Sequence, residues 1–477
     1  MIVTKLLAVL ELTTSSTGEE FYQVIENQIF VLNPTIKKNF VAICTDNGSS
    51  MISSQGSQVD PKGKGVVNRF SKEIQGLIFI RDVCHLYNLV LDDALSTYPA
   101  YILQFIKRIC AYFNTGHRSC KLKEIQVKNG IKEPLEVLHY VDTRWESLLN
   151  CVERLLKLWD HLKESLQSTD SRLKEEIADP EYNLYIYALY ILLHKFIGYV
   201  VYFQKPTLLY DQVFDKMKES YVLFGRMLLK SKYQEINFEE IIGIPFEDPE
   251  NARFKEMLAD KEEFSKIFGF RYPNVSNLIS LAQVKDAQKK NMEKQCYQHI
   301  NDFILKTVRS LKSRLPFENS ILHDSLAVHL KQAYSIDVWR NFIKLFPTII
   351  TKEHEISYLD EIDSFSLRYK NIVQEHKASG MSIIKRWKLL KEDYPNLFQV
   401  AKALLIIPYS TSTVESLFSE FRAFKTNYRN RLNVANLEAS VLAEQYFRKE
   451  NPRILPAMID KYFTLWKKEK KKRIILK

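Results

Sequence analysis

A change in the periodicity of apolar residues near residue 145 limits the folds that this chain can adopt. Before that point, strand-like runs alternate with helical patterns, in the order 2–12, 18–28, 40–45, 65–75, 76–81 and about 84–113. The second of these begins with Thr17-Gly18-Glu19-Glu20, which has the spacing of a capping box. Such alternation predicts an α/β layer with its strands buried between helices.

From about 145 onward, strand-like runs become scarce and a helical period dominates. The segments with an apolar face repeating every 3.6 residues are 182–203, 208–232, 276–313 and 320–347. A stretch near 233–250 lacks this regularity, and we expect it to have low order. Residues 145–395 are therefore predicted to form a mostly helical domain.

Length and charge indicate a multidomain protein with a polyanionic partner. The chain has 477 residues, which predicts two or three domains, and its 68 Lys+Arg against 57 Asp+Glu give a net charge of +11. The six cysteines contain no CxxC pair, which favours a reduced, intracellular protein. The apolar run 2–12 is too short to cross a bilayer, so we expect no membrane association, and no motif indicates a small-molecule substrate.

Asp46 follows the strand-like run 40–45 directly, in Thr45-Asp46-Asn47-Gly48. Functional side chains of α/β sheets commonly lie at the carboxyl ends of strands. A two-metal phosphoryl transfer needs converging carboxylates at such a place. Asp-Asn-Gly is also a common turn sequence. Taken alone, Asp46 is compatible with a plain turn and with a metal ligand.

Two more blocks flank the helical region on its amino-terminal side. Val83-Cys84-His85-Leu86-Tyr87-Asn88-Leu89 begins a helix after the run 76–81, where a lone histidine is usually structural. Thr143-Arg144-Trp145 stands at the predicted domain junction. Trp145 is placed to anchor that junction as a core aromatic residue.

A carboxy-terminal block combines an acidic residue with two apolar helices. Ser412-Thr413-Val414-Glu415 has capping-box spacing, so Glu415 could satisfy the backbone of a helix start. Apolar residues follow at helical spacing, and Asn433 is placed to cap a second helix. The tail 467–473 is a basic run, which is typical of a solvated helix end, a nuclear-import signal or a phosphate contact.

These four ordered blocks resemble those of hAT-superfamily DNA transposases. In that resemblance, Asp46 matches the second catalytic aspartate and Glu415 the last catalytic carboxylate. His85, Asn88 and Leu89 are in register with a family signature, although Asp82 stands where the signature has its first cysteine. The resemblance implies an α/β plus α fold, namely an RNase H-like core without its first strand, interrupted by a large all-helical insertion.

The resemblance also implies domain boundaries and interface residues. The expected domains are the first part of the RNase H-like core at 1–144, the helical insertion at 145–395, the completion of the core with the dimerisation region at 396–450, and a basic tail at 451–477. The expected DNA-binding residues are Trp145, Arg144 and His85. The expected dimerisation residues are Leu417, Phe418, Phe421, Leu432, Leu437, Val441 and Leu442.

The same resemblance leaves the expected catalytic site incomplete. The family's first catalytic aspartate lies on an earlier strand, and residues 1–45 contain no aspartate. Asp46 and Glu415 are therefore predicted to be a remnant, which would bind Mg²⁺ or Mn²⁺ only in an active protein and otherwise no cofactor. The expected function is a catalytically inactive, transposase-derived protein that forms a homodimer or larger assembly and binds nucleic acid weakly and without sequence preference.

Two alternatives remain at this point. One is an active, metal-dependent cut-and-paste transposase whose zinc finger and first catalytic aspartate are encoded ahead of Met1. The other is a protein that only dimerises or binds a protein partner. Descent from a transposase implies a nuclear location.

Overall fold

The computed structural model describes residues 16–46, 48–52, 54–55, 58–59, 63–140, 145–167, 172–205, 208–272, 274–275, 277–278, 285–331, 336–412 and 414–415. The chain divides into two compact units. Unit 1 draws on Met1–Ser54, Val59–Ile80 and Gln332–Lys477. Unit 2 draws on Gln55–Gln58 and Arg81–Lys331. The predicted domain boundaries at 144 and 395 differ from these divisions, because helices before 144 pack with the helical region and helices before 395 pack in unit 1.

The predicted order of helix 18–28, strand 40–45, helix 65–75 and strand 76–81 is present, together with short elements that the sequence did not predict. The amino-terminal elements are α1 (Gly18–Ile25), a π-helix (Glu26–Phe30), α2 (Pro34–Lys38), β1 (Ala42–Thr45), β2 (Ser54–Gln55), β3 (Gln58–Val59), α3 (Val66–Glu73) and β4 (Ile78–Arg81). The predicted cap of α1 is confirmed, since the Thr17 side chain accepts a hydrogen bond from the backbone N–H of Glu20. The run 2–12 lies outside the described residues.

The remaining elements are helices. In unit 2 they are α4 (Val83–Leu95), α5 (Ala100–Phe113), α6 (Gly116–Lys128), α7 (Trp145–Leu166), α8 (Arg172–Ala178), α9 (Pro180–Phe203), α10 (Tyr210–Leu228), α11 (Phe238–Ile241), α12 (Ala252–Met257), α13 (Lys261–Arg271), α14 (Asp286–Arg314) and α15 (Ser320–Ser325), with 3₁₀ turns at Ser231–Tyr233 and Leu326–His329. In unit 1 they are α16 (Ile336–Leu345), α17 (Glu355–Ser379), α18 (Ile383–Leu390) and α19 (Pro395–Leu405).

Three expectations about these helices are wrong in detail. The single helix expected at 84–113 is two helices, because Pro99 cannot continue a helical hydrogen-bond ladder and the chain turns ahead of α5. The segment 320–347 is likewise divided into α15, a 3₁₀ turn and α16. The stretch 233–250, expected to have low order, contributes Ile241, Ile244 and Phe246 to the fully buried core.

Unit 1 contains a small core beside a two-stranded parallel sheet. β1 pairs with β4, and Phe30, Val66 and Phe70 form a buried cluster beside it. Gly76 lies close to α16. Its φ is +77°, and a Cβ at this position would lie 1.6 Å from the carbonyl oxygen of Leu345. Only glycine suits that backbone position.

Unit 2 is a layered helical bundle around α9 and α14. α14 packs along α4 and α10, and Tyr87 of α4 contacts the rings of Phe196 and Phe203 of α9. By length and composition α9 could cross a membrane, but 67% of its most apolar window is buried within the protein. No disulfide joins the six cysteines, all of which belong to the described residues.

The fold is therefore mostly helical, with one parallel two-stranded sheet and one short pair of strands, β2 and β3, in the described part of the chain. This arrangement is compatible with the expected helical insertion.

Candidate functional site

Asp46 occupies the turn that follows β1. Its side chain is exposed, and Oδ1 accepts a hydrogen bond from the backbone N–H of Gly48 at 3.2 Å. The Gly48 carbonyl in turn accepts from Met51 N at 2.8 Å and from Ile52 N at 3.1 Å. The aspartate thus shapes the turn with one carboxylate oxygen, which is the structural role that its sequence context predicts.

Glu415 is exposed and is the last described residue. Its backbone N–H donates to the carbonyl of Thr411 at 3.0 Å, and the N–H of Val414 donates to the same oxygen at 2.8 Å. The first helical acceptor is therefore Thr411 rather than Ser412. The helix begins one residue earlier than the predicted capping box requires, which moves Glu415 one position farther into the first turn.

Asp46 and Glu415 both belong to unit 1. In the part of the chain that the structure describes, no group of three or more His, Cys, Asp or Glu residues could hold a metal ion. Mg²⁺ and Mn²⁺ prefer several oxygen ligands in a fixed geometry. The described residues do not fit a complete metal site of that kind.

His85 lies in the first turn of α4, in unit 2. The turn is capped by Asp82, whose buried Oδ1 accepts from Cys84 N at 2.8 Å and from His85 N at 3.4 Å. The residue that departs from the family signature is therefore the helix cap. Nothing in this geometry aims His85 at a nucleic acid, and its predicted role stays a prediction.

A polar cluster on α4, which the sequence reasoning missed, joins that helix to α14. Oδ2 of Asp93 accepts from Ser310 Oγ at 2.5 Å and from Arg314 Nη2 at 2.8 Å. Burial tends to raise the pKa of Asp93, but hydrogen bonds from Ser310 and Arg314 outweigh it and hold this pKa below its usual value. The neighbouring Asp92 has a raised pKa, because it is partly buried and beside a second carboxylate.

The geometry of this cluster indicates a structural role, in which it holds α4 against α14. Its partners are more than 200 residues apart in the sequence, and no local pattern indicates which helices will meet. Only the adjacent acids in Leu91-Asp92-Asp93, at the end of an otherwise apolar run, could have drawn attention to it.

The other predicted contact residues lie at or beyond the limits of the described chain. Arg144 is outside the described residues, and α7 begins at Trp145, of which only the backbone is described. The expected dimerisation residues Leu417, Phe418, Phe421, Leu432, Leu437, Val441 and Leu442 all lie outside the described residues.

The helices that precede this carboxy-terminal block form a compact aromatic core. The ring of Phe365 in α17 lies 5.3 Å from Trp339, 5.8 Å from Trp387 and 5.2 Å from Tyr394, measured between centroids. All four side chains are buried. This packing fixes α17, α18 and the start of α19 as one rigid layer.

The opposite face of α17 is exposed and carries large apolar side chains. Ile356 is 74% exposed and Leu367 is 87% exposed. They are 11 residues apart, which places them on one face of the helix, three turns from each other. Leu389 of α18 is 62% exposed as well. Ile356 and Leu367 lie among Asp360, Asp363 and Lys370 on the same face, so they offer separate apolar contact points rather than one continuous patch.

Comparison with known families finds a match in the region that contains α17, α18 and α19. Residues 357–447 match the family model of the hAT family C-terminal dimerisation region, which includes nearly all of α17 together with α18 and α19. The match begins well before the predicted start of this region at 396. No curated protein matches the chain. This match supports an hAT-family, transposase-type protein whose carboxy-terminal region self-associates.

Proposed function

We propose that this chain is a self-associating, transposase-derived nuclear protein that binds nucleic acid and does not catalyse strand transfer by itself. The observation that carries this proposal is the position of the exposed apolar face of α17 inside the matched region 357–447. A rigid helix with a buried aromatic face and an exposed apolar face can present a fixed surface to a second copy.

The charges along α17 also suit a second copy. The exposed face carries Asp360 and Asp363 on the amino-terminal side of Leu367, and Lys370 on the carboxy-terminal side. In an antiparallel pair of α17 helices related by a twofold axis near Leu367, Asp363 of each copy, which lies 3.6 Å from Arg340 Nη2 of its own chain, would lie opposite Lys370 of the other. An interface of this isologous kind is self-complementary.

A substitution in this face tests the proposed dimer. Leu367→Asp places a charge at the centre of the apolar surface, so we expect the dissociation constant, measured by light scattering across a dilution series, to rise at least tenfold. Leu32→Asp is the matched control, because Leu32 is 78% exposed in the same unit and lies outside the matched region. An unchanged dimer in the Leu367 variant would exclude this face of α17.

A charge exchange separates pairing geometry from general disruption. Asp363→Lys and Lys370→Asp should each weaken the dimer, whereas the double variant should recover most of the affinity, because the two opposite-charge pairs are restored in reversed order. Failure of the double variant to recover would contradict the antiparallel arrangement. The expected residues Leu437 and Leu442 would then be the next interface to test.

The catalytic part of the proposal rests on the carboxylates of this chain. One oxygen of Asp46 is engaged by the turn, Glu415 is exposed, and residues 1–45 supply no aspartate. The parallel pair of β1 and β4, with Asp46 at the end of β1, supports descent from an RNase H-like core. A metal-binding triad needs all three of its carboxylates, so Asp46 and Glu415 by themselves should support little transfer activity.

An assay of strand cleavage tests this part. Labelled terminal-repeat DNA is incubated with the protein and Mg²⁺ or Mn²⁺, and we expect no cleavage above that of the protein-free control. Cleavage that is lost in Asp46→Ala and in Glu415→Ala would contradict the inactive assignment and would make these two residues metal ligands. The net charge of +11 supports binding to nucleic acid, which needs no catalytic activity.

A further inference from the structure

The stretch from Ala94 to Lys123 in unit 2 contains no aspartate or glutamate, yet it contains five Lys or Arg residues and one histidine. It forms α5, the turn after it and most of α6. Two of the five cations form ion pairs within the unit. Arg108 donates to Glu176 at 2.5 Å, and Lys123 pairs with Glu136. These two contacts are structural.

Other cations of this stretch lie against tyrosine rings. The Arg118 guanidinium carbon lies 3.8 Å from the ring centroid of Tyr112, and its Nη1 is 3.4 Å from the Tyr112 carbonyl oxygen. The Lys107 ammonium lies 5.3 Å from the ring centroid of Tyr140. Arg118 and Lys107 are both exposed. We call the surface made by Lys107, Tyr112, His117, Arg118, Lys121 and Tyr140 the α5–α6 corner.

Stacking on a ring prepares a cation to bind phosphate. A guanidinium held flat on a tyrosine loses less side-chain entropy on binding, and its N–H groups still point outward in the plane. Arginine in that state offers paired donors to the oxygens of a phosphate.

The backbone at the start of α6 also favours a phosphate. α6 begins at Gly116, and its N-cap Thr115 makes no side-chain capping bond, so the positive end of the helix lies beside His117 and Arg118. The segment that ends at Tyr140 is held to the α5–α6 turn by a bond from Asn114 Nδ2 to the Leu138 carbonyl at 3.4 Å.

We propose that the α5–α6 corner is a contact surface for the sugar–phosphate backbone of DNA. The inference rests on the nucleic-acid binding proposed above and assigns it to one surface of unit 2. Binding there requires no base-specific contact, because phosphate contacts are independent of sequence. The carboxy-terminal dimerisation region is not part of this surface.

Salt-dependent binding of the full chain to a 30-base-pair DNA duplex tests the proposal. The double variant Lys107→Gln/Arg118→Gln should bind about tenfold or more weakly near 0.1 M salt. The slope of log K against log salt should become shallower by about 1.8, since each lost phosphate contact contributes about 0.9. The matched control is Lys255→Gln/Lys266→Gln, because these two exposed lysines of unit 2 pair with Glu250 and Glu262. It should leave the slope unchanged.

A further variant separates charge from geometry. Arg118→Lys keeps the charge but loses the planar guanidinium, so its affinity should lie between those of the wild type and the double variant. Thermal melting of each variant should match the wild type, because the substituted side chains are exposed.

Two results would overturn the proposal in distinguishable ways. If the wild type binds DNA and the double variant has the wild-type slope, the corner is not the binding surface, while nucleic-acid binding itself stands. If the wild type shows no salt-dependent binding at all, the nucleic-acid part of the proposed function fails together with the corner.

Discussion

At the scale of single residues, a buried carboxylate of one helix completes the start of another. Glu361 of α17 is 8% exposed, and its oxygens accept from the backbone N–H groups of Asn396 and Leu397 at 2.9 Å. α19 begins at Pro395, and its N-cap Tyr394 provides no side-chain cap. Glu361 therefore serves as a distant cap for α19, satisfying donors that would otherwise be buried without partners.

Removing this carboxylate should destabilise unit 1. We expect Glu361→Ala to lower the free energy of unfolding by about 2–3 kcal/mol, because it leaves buried N–H groups without an acceptor. Glu361→Gln, which keeps an acceptor oxygen, should cost about half as much. The measurement is urea denaturation, with the exposed neighbour Asp360→Asn as the control. Equal stability of the Ala variant and the wild type would show that water replaces the cap.

A buried histidine should make the stability of unit 2 sensitive to acid. His329 is 3% exposed, with Nδ1 3.0 Å from Oδ1 of Asp211. Lys331 Nζ lies 2.6 Å from Asp211 Oδ2 and 2.8 Å from Asp215 Oδ2. Burial lowers the pKa of His329 to about 4, against the opposing attraction of Asp211.

The sign of the pH effect follows from this lowered pKa. Between pH 6.5, the ordinary value, and pH 4 the unfolded chain binds the proton more tightly than the folded one. The free energy of unfolding should fall as the pH drops through this window, by up to about 3 kcal/mol. His329→Gln should flatten the dependence in a series of denaturant titrations, whereas the exposed His117→Gln should retain it. A wild-type slope in the His329 variant would contradict the assignment.

At the scale of elements, the end of α17 depends on a left-handed residue. Gly380 terminates the helix with φ +61°, and a Cβ there would meet no atom within 4 Å. The cost of Gly380→Ala is therefore backbone strain alone, about 1 kcal/mol. Gly198, exposed within α9, also has no atom within 4 Å of an added Cβ. Gly198→Ala should raise stability by about 0.5–1 kcal/mol.

These two alanine substitutions form a matched pair that thermal melting can compare directly. Opposite shifts of the transition are expected, since the chemical change is the same and only the backbone conformation differs. A stabilising effect of Gly380→Ala would mean that α17 continues past its present end.

At the scale of the whole molecule, self-association should couple stability to concentration. If unfolding separates the two copies, each tenfold rise in protein concentration adds about 1.4 kcal/mol to the free energy of unfolding per dimer. Leu367→Asp should remove this dependence and Leu32→Asp should keep it, as measured by melting over a hundredfold range of concentration. If the melting temperature of the wild type does not change when the protein concentration is raised from below to above the dissociation constant, unfolding does not separate the two copies, which would contradict the prediction.

Local patterns were sufficient for much of the element order. The Thr17 cap, strands β1 and β4, helix α3 and the helical nature of the region after 145 all follow from periodicity and capping residues, which act over a few residues. The division at Pro99 was also readable from the sequence, since proline ends a helix for local steric reasons. The strand-like run 2–12 and the dimerisation residues from 417 to 442 stay predictions.

By itself, then, the sequence determined the local conformations and carried the ordered blocks that resemble those of the hAT family, one of which lies in the matched dimerisation region. The tertiary structure alone decided which distant groups meet: Glu361 with the start of α19, Asp93 with Arg314, and the exposed face of α17 opposite its aromatic core. The physical reason is the distance along the chain over which each effect acts. Backbone propensity and capping act within a turn or two, whereas the pairing of helix faces depends on packing that no local pattern encodes.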